Sequence, residues 1–245
     1  MLNLITTKKP GTSGINSIAA ALGGGFKEGS LVLIEGEAHT GKSVLCQHIA
    51  AGVLGSQGSP VAFYSHECNA NGLYQRMVAM GIDPSEDITA GRLMVFQIFS
   101  PRVICKATES LDLIVNHISR LPPQFKMVII DSPSIYIKRV SPVSKTDFLL
   151  ACKEACAYGR TIIMSIENHA FERKALLRAY AMSDYYLKLR SQDAILEAGK
   201  MNVHVIKVLD ITKLGGAERW GEEGLKFEIK PGAGIQILPI MRIKI

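Results

Sequence analysis

The feature that most restricts the fold is a stretch with two spaced glycines, a lysine and a serine, Gly36-Glu37-Ala38-His39-Thr40-Gly41-Lys42-Ser43. It matches the pattern G-x-x-x-x-G-K-[ST], in which backbone N–H groups surround phosphates. Residues 31–35 before it form an apolar run typical of a short buried strand, and residues 44–51 after it have the pattern of an amphipathic helix. This order of strand, loop and helix predicts a nucleotide-binding α/β fold, and the alternative is a glycine-rich turn without a ligand.

Each position of this P-loop has a chemical reason. Gly36 and Gly41 allow backbone angles and close approaches that a side chain would prevent, so that N–H groups can point at a polyphosphate. Lys42 supplies a cation for the outer phosphates, and Ser43 supplies a hydroxyl ligand for Mg²⁺. His39 stands at the crest of the loop, where it either approaches the β- and γ-phosphates or, as the commoner arrangement, points to solvent.

Length and composition favour one globular domain. With 245 residues, of which 47% are hydrophobic and 20% charged, the chain can bury one large core, and we expect a single α/β domain over residues 1–245. No apolar run reaches the length of a membrane span, and Met1 to Lys9 lack the apolar stretch of a secretory signal. We therefore expect a cytoplasmic protein that does not itself span a membrane.

Cysteine usage and charge give weaker indications. Five cysteines, an odd number, argue against a disulfide framework and fit a reducing compartment. Cys152 and Cys156 lie four residues apart on a predicted helix, where they either bind a metal or redox partner or, as we favour, pack into the core. The formal charge of +6 is spread over scattered lysines and arginines, so it is only weak evidence for a nucleic acid or an acidic lipid surface.

The pattern along the chain divides it into three parts. Residues 1–30 lead into the first strand, residues 31–180 alternate between strands and helices, and residues 181–245 contain strands separated by glycine-containing turns. This order predicts a mostly parallel twisted sheet flanked by helices, with a C-terminal antiparallel extension. The predicted strands cover residues 31–35, 61–65, 93–99, 126–131, 160–166, 185–189, 202–209, 225–230 and 234–238, and the predicted helices cover residues 44–51, 69–80, 110–120, 145–158 and 169–180.

Two carboxylates follow predicted strands. Asp131 ends a strongly apolar run, and a carboxylate at the carboxyl end of a buried strand can hold Mg²⁺, directly or through water, beside Ser43. Glu67 comes just after the second strand of the core and can act as the base that accepts a proton from an attacking water. Ordinary turn residues are the alternative for both.

A polar segment follows the strand after that of Asp131. It consists of Ser165, Glu167, Asn168 and His169, whose side chains can sense a γ-phosphate or its water by hydrogen bonds. The same residue types are common in loops without such a role, and the sequence leaves this alternative open.

Three basic residues lie in the late, glycine-containing part of the chain, namely Lys207, Lys213 and Arg219. A cation there can reach the nucleotide of a neighbouring subunit and neutralise the charge that develops in phosphoryl transfer. Judged from the residues alone, solvated surface charges are the favoured interpretation.

Taken together, these positions resemble the RecA/KaiC superfamily of ring-forming ATPases, and within it the FlaH (ArlH) proteins of the archaellum motor. The resemblance covers nearly the whole chain. Its most specific parts are residues 29–37 and 40–47, which are similar to that family well beyond the generic P-loop. Supporting stretches are residues 22–25, 80–83, 127–131 and 227–235.

The resemblance implies a RecA-like P-loop fold that binds ATP with Mg²⁺ between adjacent protomers of a homo-oligomer, a hexameric ring. It implies a regulatory and assembly role in an archaellum, a type IV pilus-like motor, with weak or absent ATP hydrolysis. The implied partners are a motor ATPase of the FlaI type and a membrane-anchored scaffold, through which the protein would reach the inner face of the cytoplasmic membrane. By the same resemblance Gly36, Thr40, Gly41, Lys42 and Ser43 hold phosphates, and Asp131 serves the metal.

The chain also departs from the KaiC-like pattern. Active members have two adjacent glutamates after the second strand, whereas here Glu67 is followed by Cys68. Lys207 matches the lysine that acts in trans, but the arginine expected two positions later is Leu209. These departures predict impaired hydrolysis, and Ala38-His39 in place of the usual Asn-Gly changes the crest of the P-loop.

Two other functions remain open at this point. An active RecA-type DNA-dependent ATPase needs basic loops after the carboxylate strand and the strand that follows it, and only Lys138, Arg139 and Lys145 meet that need. The sequence therefore does not favour a nucleic-acid partner. A KaiC-like autokinase is the third possibility, since a ring that hydrolyses slowly can phosphorylate itself.

Overall fold

The computed structural model describes residues 2–3, 13–98, 107–195, 203–218 and 224–238. The strands in these ranges are β1 (Leu2–Asn3), β2 (Gly25–Phe26), β3 (Leu31–Gly36), β4 (Val61–Ser65), β5 (Leu93–Gln97), β6 (Met127–Asp131), β7 (Thr161–Glu167), β8 (Tyr185–Ile195), β9 (Val203–Leu214), β10 (Ala217–Glu218), β11 (Leu225–Lys230) and β12 (Gly234–Ile237). The helices are α1 (Ser13–Ala21), α2 (Lys42–Gln57), α3 (Ala70–Ala79), α4 (Ser85–Thr89), α5 (Ala107–Arg120), α6 (Ser134–Ile137), α7 (Pro142–Ala157) and α8 (Arg173–Met182).

One large sheet dominates the structure, with the strand order β12-β11-β9-β8-β3-β7-β6-β4-β5 and with β10 paired to β9. The strands from β8 to β5 run parallel, and β9, β11 and β12 extend the sheet in antiparallel fashion beyond β8. The predicted α/β fold with a parallel core and a C-terminal antiparallel extension is therefore confirmed.

The central strands are buried on both faces, as expected for parallel strands that are covered by helices. Along β3 the side chains alternate, so that Val32 and Ile34 pack in one core with Leu45 of α2. Leu31 and Leu33 point to the opposite face and belong to a second core that includes side chains from α5, α7 and α8. The P-loop helix α2 and the helices α5, α7 and α8 thus lie on opposite faces of the sheet.

The observed elements differ from the predicted ones mainly in length. Strands β8 and β9 continue well beyond residues 185–189 and 202–209 and pair with each other along most of their length. Helix α8 begins at Arg173, not at residue 169. Residues 99 and 202, at the ends of two predicted strands, lie outside the described residues.

Residues 1–30 contain a helix that we did not predict. Although the segment is rich in small residues, Ile15, Ile18 and Leu22 recur at helical spacing and are almost completely buried. They join the core on the α2 face, where α1 covers the outer strand β12. A Cβ on Gly14 would lie 2.1 Å from the backbone oxygen of Ile235, so the helix approaches this strand as closely as a glycine allows.

Candidate functional site

The register of the parallel strands brings the predicted site residues to one edge of the sheet. Gly36 at the end of β3 pairs with Glu167 of β7, and Ser65 at the end of β4 pairs with Asp131 of β6. Because parallel strands all end on the same side, their carboxyl ends form a continuous edge with the P-loop at its centre.

The P-loop forms a tight turn whose backbone depends on two glycines. A Cβ on Gly36 would lie 2.7 Å from Thr40 Oγ1, and Gly41 has φ = 98°, a left-handed angle that favours glycine. Thr40 is buried and donates from its hydroxyl to the carbonyl of Glu37 over 2.8 Å. His39 has its side chain exposed and a left-handed φ of 63°, which is uncommon for a residue with a Cβ.

Lys42 lies folded over the loop. Its Nζ donates to the carbonyls of Gly36 over 2.9 Å and of Glu37 over 2.7 Å, and only 8% of the residue is exposed. Burial lowers the pKa of Lys42, and the neighbouring carboxylates Glu167, Asp131 and Glu67 act in the opposite direction. The ammonium group therefore lies at the centre of the site and stays within reach of an anion in the loop.

Asp131 is the most buried carboxylate at this edge of the sheet, with 6% of the residue exposed. Its Oδ1 accepts a hydrogen bond from Ser165 Oγ at 2.6 Å and one from Ser43 Oγ at 3.2 Å. Burial raises the pKa of Asp131, the two hydroxyls lower it, and the nearby Glu67 raises it further. The structure thus brings together the predicted metal residues Ser43 and Asp131.

Glu67 lies at the end of β4, where Ser65 Oγ accepts the backbone N–H groups of Glu67 over 3.2 Å and of Cys68 over 3.3 Å. Its carboxylate is half-exposed and pairs with Arg76 of α3, with 2.8 Å between Oε2 and Nη1. Cys68 is buried and its Sγ lies 3.4 Å from Ser65 Oγ, so this position offers no second carboxylate. The candidate base is therefore single and already held by a cation.

The segment after β7 contacts the P-loop through its backbone. The N–H of Asn168 donates to the carbonyl of Gly36 over 3.2 Å, and its Oδ1 is buried without a hydrogen-bond partner among the described residues. Glu167 pairs with Lys138, which lowers the pKa of this carboxylate. His169 has a left-handed φ of 65° and is exposed. Since a buried, unpaired acceptor is costly, Asn168 is the member of this segment best placed for a ligand.

The three late basic residues have different surroundings. Lys207 donates from Nζ to the carbonyl of His39 in its own chain over 2.9 Å. Lys213 is 7% exposed and donates to the carbonyls of Tyr180 and Ala181 at the end of α8, so the interpretation of Lys213 as a solvated surface charge is wrong. Arg219 lies outside the described residues.

Three further residues singled out in the sequence lie in the core. Leu209, at the position of the missing arginine, is completely buried, as expected for an apolar residue on an inner strand. Cys152 and Cys156 are each 1% exposed, which confirms their predicted packing into the core.

Sequence reasoning missed two cations that shape the site, Arg76 and Lys138. Each pairs with a site carboxylate, Glu67 and Glu167 respectively. Arg76 stands nine positions after its partner and on the next helix, and no local pattern distinguishes it from other helical arginines. From the sequence, Lys138 is only a basic loop residue that could contact DNA.

The residues present fit ATP with Mg²⁺. A Cβ would fill the turn at Gly36, the first helical N–H groups of α2 have no side-chain cap, and Lys42 supplies the positive charge. The hydroxyl of Ser43 and the carboxylate of Asp131 are oxygen donors of the kind that Mg²⁺ prefers. Bound in this way, the metal would neutralise phosphate charge. Within the described part of the chain, no helix is long and apolar enough to cross a membrane.

Comparison with known proteins agrees with this geometry. The archaeal flagellar ATP-binding protein FlaH of Sulfolobus acidocaldarius is 24% identical over 220 residues, which cover 89% of this chain and 92% of that protein. The DNA repair and recombination protein RadB of Thermococcus gammatolerans is 32% identical over 124 residues, which cover 49% of this chain and 50% of that protein. The crystal structure of flagellar accessory protein FlaH from Methanocaldococcus jannaschii superimposes with a TM-score of 0.75 at 22% identity, over 91% of this chain and 95% of that one.

The match to a whole family is broader still. The family model described as "ATPase: KaiC" covers residues 11–242, which include the P-loop, all the carboxylates of the site and the C-terminal strands. The chain therefore belongs to the KaiC family of ATPases.

Proposed function

We propose that this chain is the ATP- and Mg²⁺-binding, ring-forming subunit of an archaellum or a related type IV pilus-like motor. The single observation that carries nucleotide binding is the contact of 3.2 Å between Ser43 Oγ of the P-loop helix and Asp131 Oδ1 of β6. In this proposal the contact joins the two halves of a metal–phosphate site, in a single domain over residues 1–245. The archaellum role is supported by similarity to FlaH over most of the chain.

In this proposal different groups of the chain bind the phosphates and the metal. Backbone N–H groups at the start of α2 and Lys42 Nζ hold the phosphates, which requires Lys42 to exchange its two carbonyl acceptors for anionic oxygens. Ser43 and Asp131 hold the metal, directly or through water, and Ser165 orients the carboxylate of Asp131.

Slow hydrolysis follows from the state of Glu67. A general base must direct a carboxylate oxygen at the attacking water, whereas the ion pair with Arg76 holds Glu67 Oε2 toward α3. With Cys68 at the next position, no second carboxylate supports it. The protein would hold ATP for long periods. Its ring would signal to a FlaI-type motor ATPase and a membrane-anchored scaffold whether ATP is bound.

Nucleotide binding and assembly are tested together. We expect wild-type protein to bind a fluorescent ATP analogue with Mg²⁺ and to increase in mass toward a hexamer by light scattering when ATP is added. Lys42→Ala should lose both properties because the phosphates lose their cation. Asp131→Asn should lose the Mg²⁺ dependence, since a carboxylate ligand becomes an amide. Tight ATP binding by Lys42→Ala would contradict the phosphate site.

The motor role is tested by co-purification with a FlaI-type ATPase. We expect the wild-type protein to co-purify with it in the presence of ATP, and Lys42→Ala not to co-purify. Turnover is tested with Glu67→Gln, which should abolish the residual hydrolysis and leave ATP affinity unchanged. If Glu67→Gln hydrolyses ATP at the wild-type rate, Glu67 is not the base.

A second candidate function is a DNA-dependent ATPase, favoured by the similarity of half the chain to RadB. The surroundings of two of the three candidate DNA-binding cations argue against it, because Lys145 is 3% exposed and pairs with Glu172, and Lys138 pairs with Glu167. ATP turnover that rises with single-stranded DNA, together with binding that weakens steeply with salt, would favour this function over the motor role.

A further inference from the structure

The C-terminal antiparallel strands contact the P-loop of their own chain through hydrogen bonds and through apolar packing. At the crest of the loop, Lys207 Nζ of β9 donates to the carbonyl of His39 over 2.9 Å and also contacts Ser191 Oγ of β8 at 3.0 Å. At the start of α2, Ile229 of β11 packs so closely that a Cβ on Gly41 would lie 2.7 Å from its Cδ1. The loop is therefore braced from one side by residues far away in the sequence.

The C-terminal strands also contact the P-loop helix α2. His48 of α2 is 1% exposed, and its Nε2 accepts the backbone N–H of Ile235 in β12 over 3.2 Å. Its Nδ1 lies 2.9 Å from the carbonyl of Val44 within the same helix. The core of the extension thus fixes the position of α2, while Lys207 is the polar contact at the loop crest itself.

The crest residue needs such a contact. His39 has φ = 63°, an angle that costs energy for a residue with a Cβ and persists only where surrounding contacts hold it. The bond from Lys207 fixes the carbonyl that follows this strained angle. Because the same peptide segment supplies N–H groups to the phosphates, fixing its orientation also fixes the anion site.

The ammonium group of Lys207 is not neutralised by a carboxylate. No ion pair between described residues includes Lys207, and its two hydrogen-bond acceptors are a carbonyl and a hydroxyl. A lysine has three donors, so one N–H remains for an acceptor near the crest. The positive charge therefore lies beside the P-loop of its own chain.

We propose that Lys207 acts in cis, as a positioning residue that holds the P-loop crest of its own chain and slows the release of bound ATP. This inference rests on ATP binding at the P-loop, as proposed above. It gives Lys207 a role within its own chain besides the trans-acting one that the family resemblance implies, and it adds a kinetic function, retention of nucleotide, to the C-terminal extension.

The test compares Lys207→Met, which keeps the aliphatic stem and removes the ammonium group, with wild type and with Lys188→Ala, an exposed lysine of the neighbouring strand. The measured quantity is the release rate of a fluorescent ATP analogue with Mg²⁺ after addition of excess ATP. We expect release from Lys207→Met to be about tenfold faster, as for the loss of one hydrogen bond from a charged donor at a partly exposed site. Lys188→Ala should release at the wild-type rate, and Lys207→Arg should restore slow release at least in part.

Dilution separates action in cis from action in trans, because a monomer has no neighbour that could supply Lys207. If Lys207 acts in cis, Lys207→Met still releases the analogue about tenfold faster than wild type when light scattering shows that both proteins are monomeric. A difference that disappears in the monomers, or a Lys207→Met rate equal to wild type at every concentration, would overturn the inference. A wild-type protein that binds no ATP analogue would instead overturn the proposed function.

Discussion

The hydroxyl of Ser165 allows a buried carboxylate to exist at the metal site, and its removal gives a prediction with a defined size. Ser165 is completely buried and donates to Asp131 Oδ1 over 2.6 Å. A hydrogen bond to a charged group contributes about 1.5–3 kcal/mol, so Ser165→Ala should lower the free energy of unfolding by that amount at neutral pH. The matched control is Ser183→Ala, which removes a buried hydroxyl that donates to the neutral carbonyl of Tyr180 over 2.9 Å and should cost about 0.5–1.5 kcal/mol.

The pH dependence distinguishes the two variants. Burial raises the pKa of Asp131 in the folded state above its ordinary value of 3.8, so the folded protein binds more protons than the unfolded chain between these two values. Stability therefore falls as the pH rises through this window. In Ser165→Ala the folded pKa rises further because the hydroxyl no longer favours the ionised form, which extends the fall to higher pH.

The assay is urea denaturation followed by circular dichroism at a series of pH values. The difference in unfolding free energy between Ser165→Ala and wild type should grow as the pH rises from the ordinary aspartate value toward neutrality. The difference for Ser183→Ala should stay constant. A constant difference for Ser165→Ala, or one no larger than that of the control, would refute the idea that this hydroxyl stabilises an ionised Asp131.

The remaining predictions concern the surroundings of the site. Lys213→Ala should lower the unfolding free energy by about 1–3 kcal/mol, because two carbonyls at the end of α8 lose a buried donor, and unchanged ATP release would separate this role from a catalytic one. The thiol of Cys152, whose pKa is raised by burial, should resist alkylation until the protein is unfolded, as followed by mass spectrometry; rapid native labelling would contradict its packing. Arg76→Ala should change stability by less than about 1 kcal/mol, since the pair with Glu67 is exposed, but should raise ATP turnover by freeing the candidate base; turnover equal to or below wild type would argue against that role.

The parallel core could be predicted from the sequence because the patterns that indicate its strands and helices are local and strong. The apolar run before Asp131 and the strand–loop–helix order around Lys42 each appear in one short window, and the structure places both as expected. The helix α1 was missed because Ile15 and its apolar neighbours are diluted by small residues that resemble a loop. Its helical state depends on packing against β12, which a local pattern does not contain.

The types of residue at the site could be predicted from the sequence, but the partners of their side chains could not. Glu67 was identified as a candidate base, but its partner Arg76 is selected by how α3 packs beside β4. The position of Lys207 depends on the register of β9 against β8, where it lies opposite Ser191. A shift of one residue in that register would turn the lysine to the other face of the sheet. The register of the strands therefore decides whether this cation can reach the P-loop crest of its own chain.

Charge balance at the carboxyl edge explains why ATP with Mg²⁺ should stabilise this fold. Glu67 and Glu167 each pair with a cation, whereas no ion pair between described residues includes Asp131, which is held by two hydroxyls. Its ionised form is therefore the costly one, as its raised pKa indicates. A divalent cation bound there would offset this cost, and the gain should be largest where Asp131 would otherwise be ionised. The increase in melting temperature caused by Mg²⁺ with ATP should then be larger at neutral pH than near the ordinary aspartate pKa, and in Asp131→Asn Mg²⁺ should add nothing to the increase caused by ATP alone; an equal contribution of Mg²⁺ in that variant would show that the metal is held elsewhere.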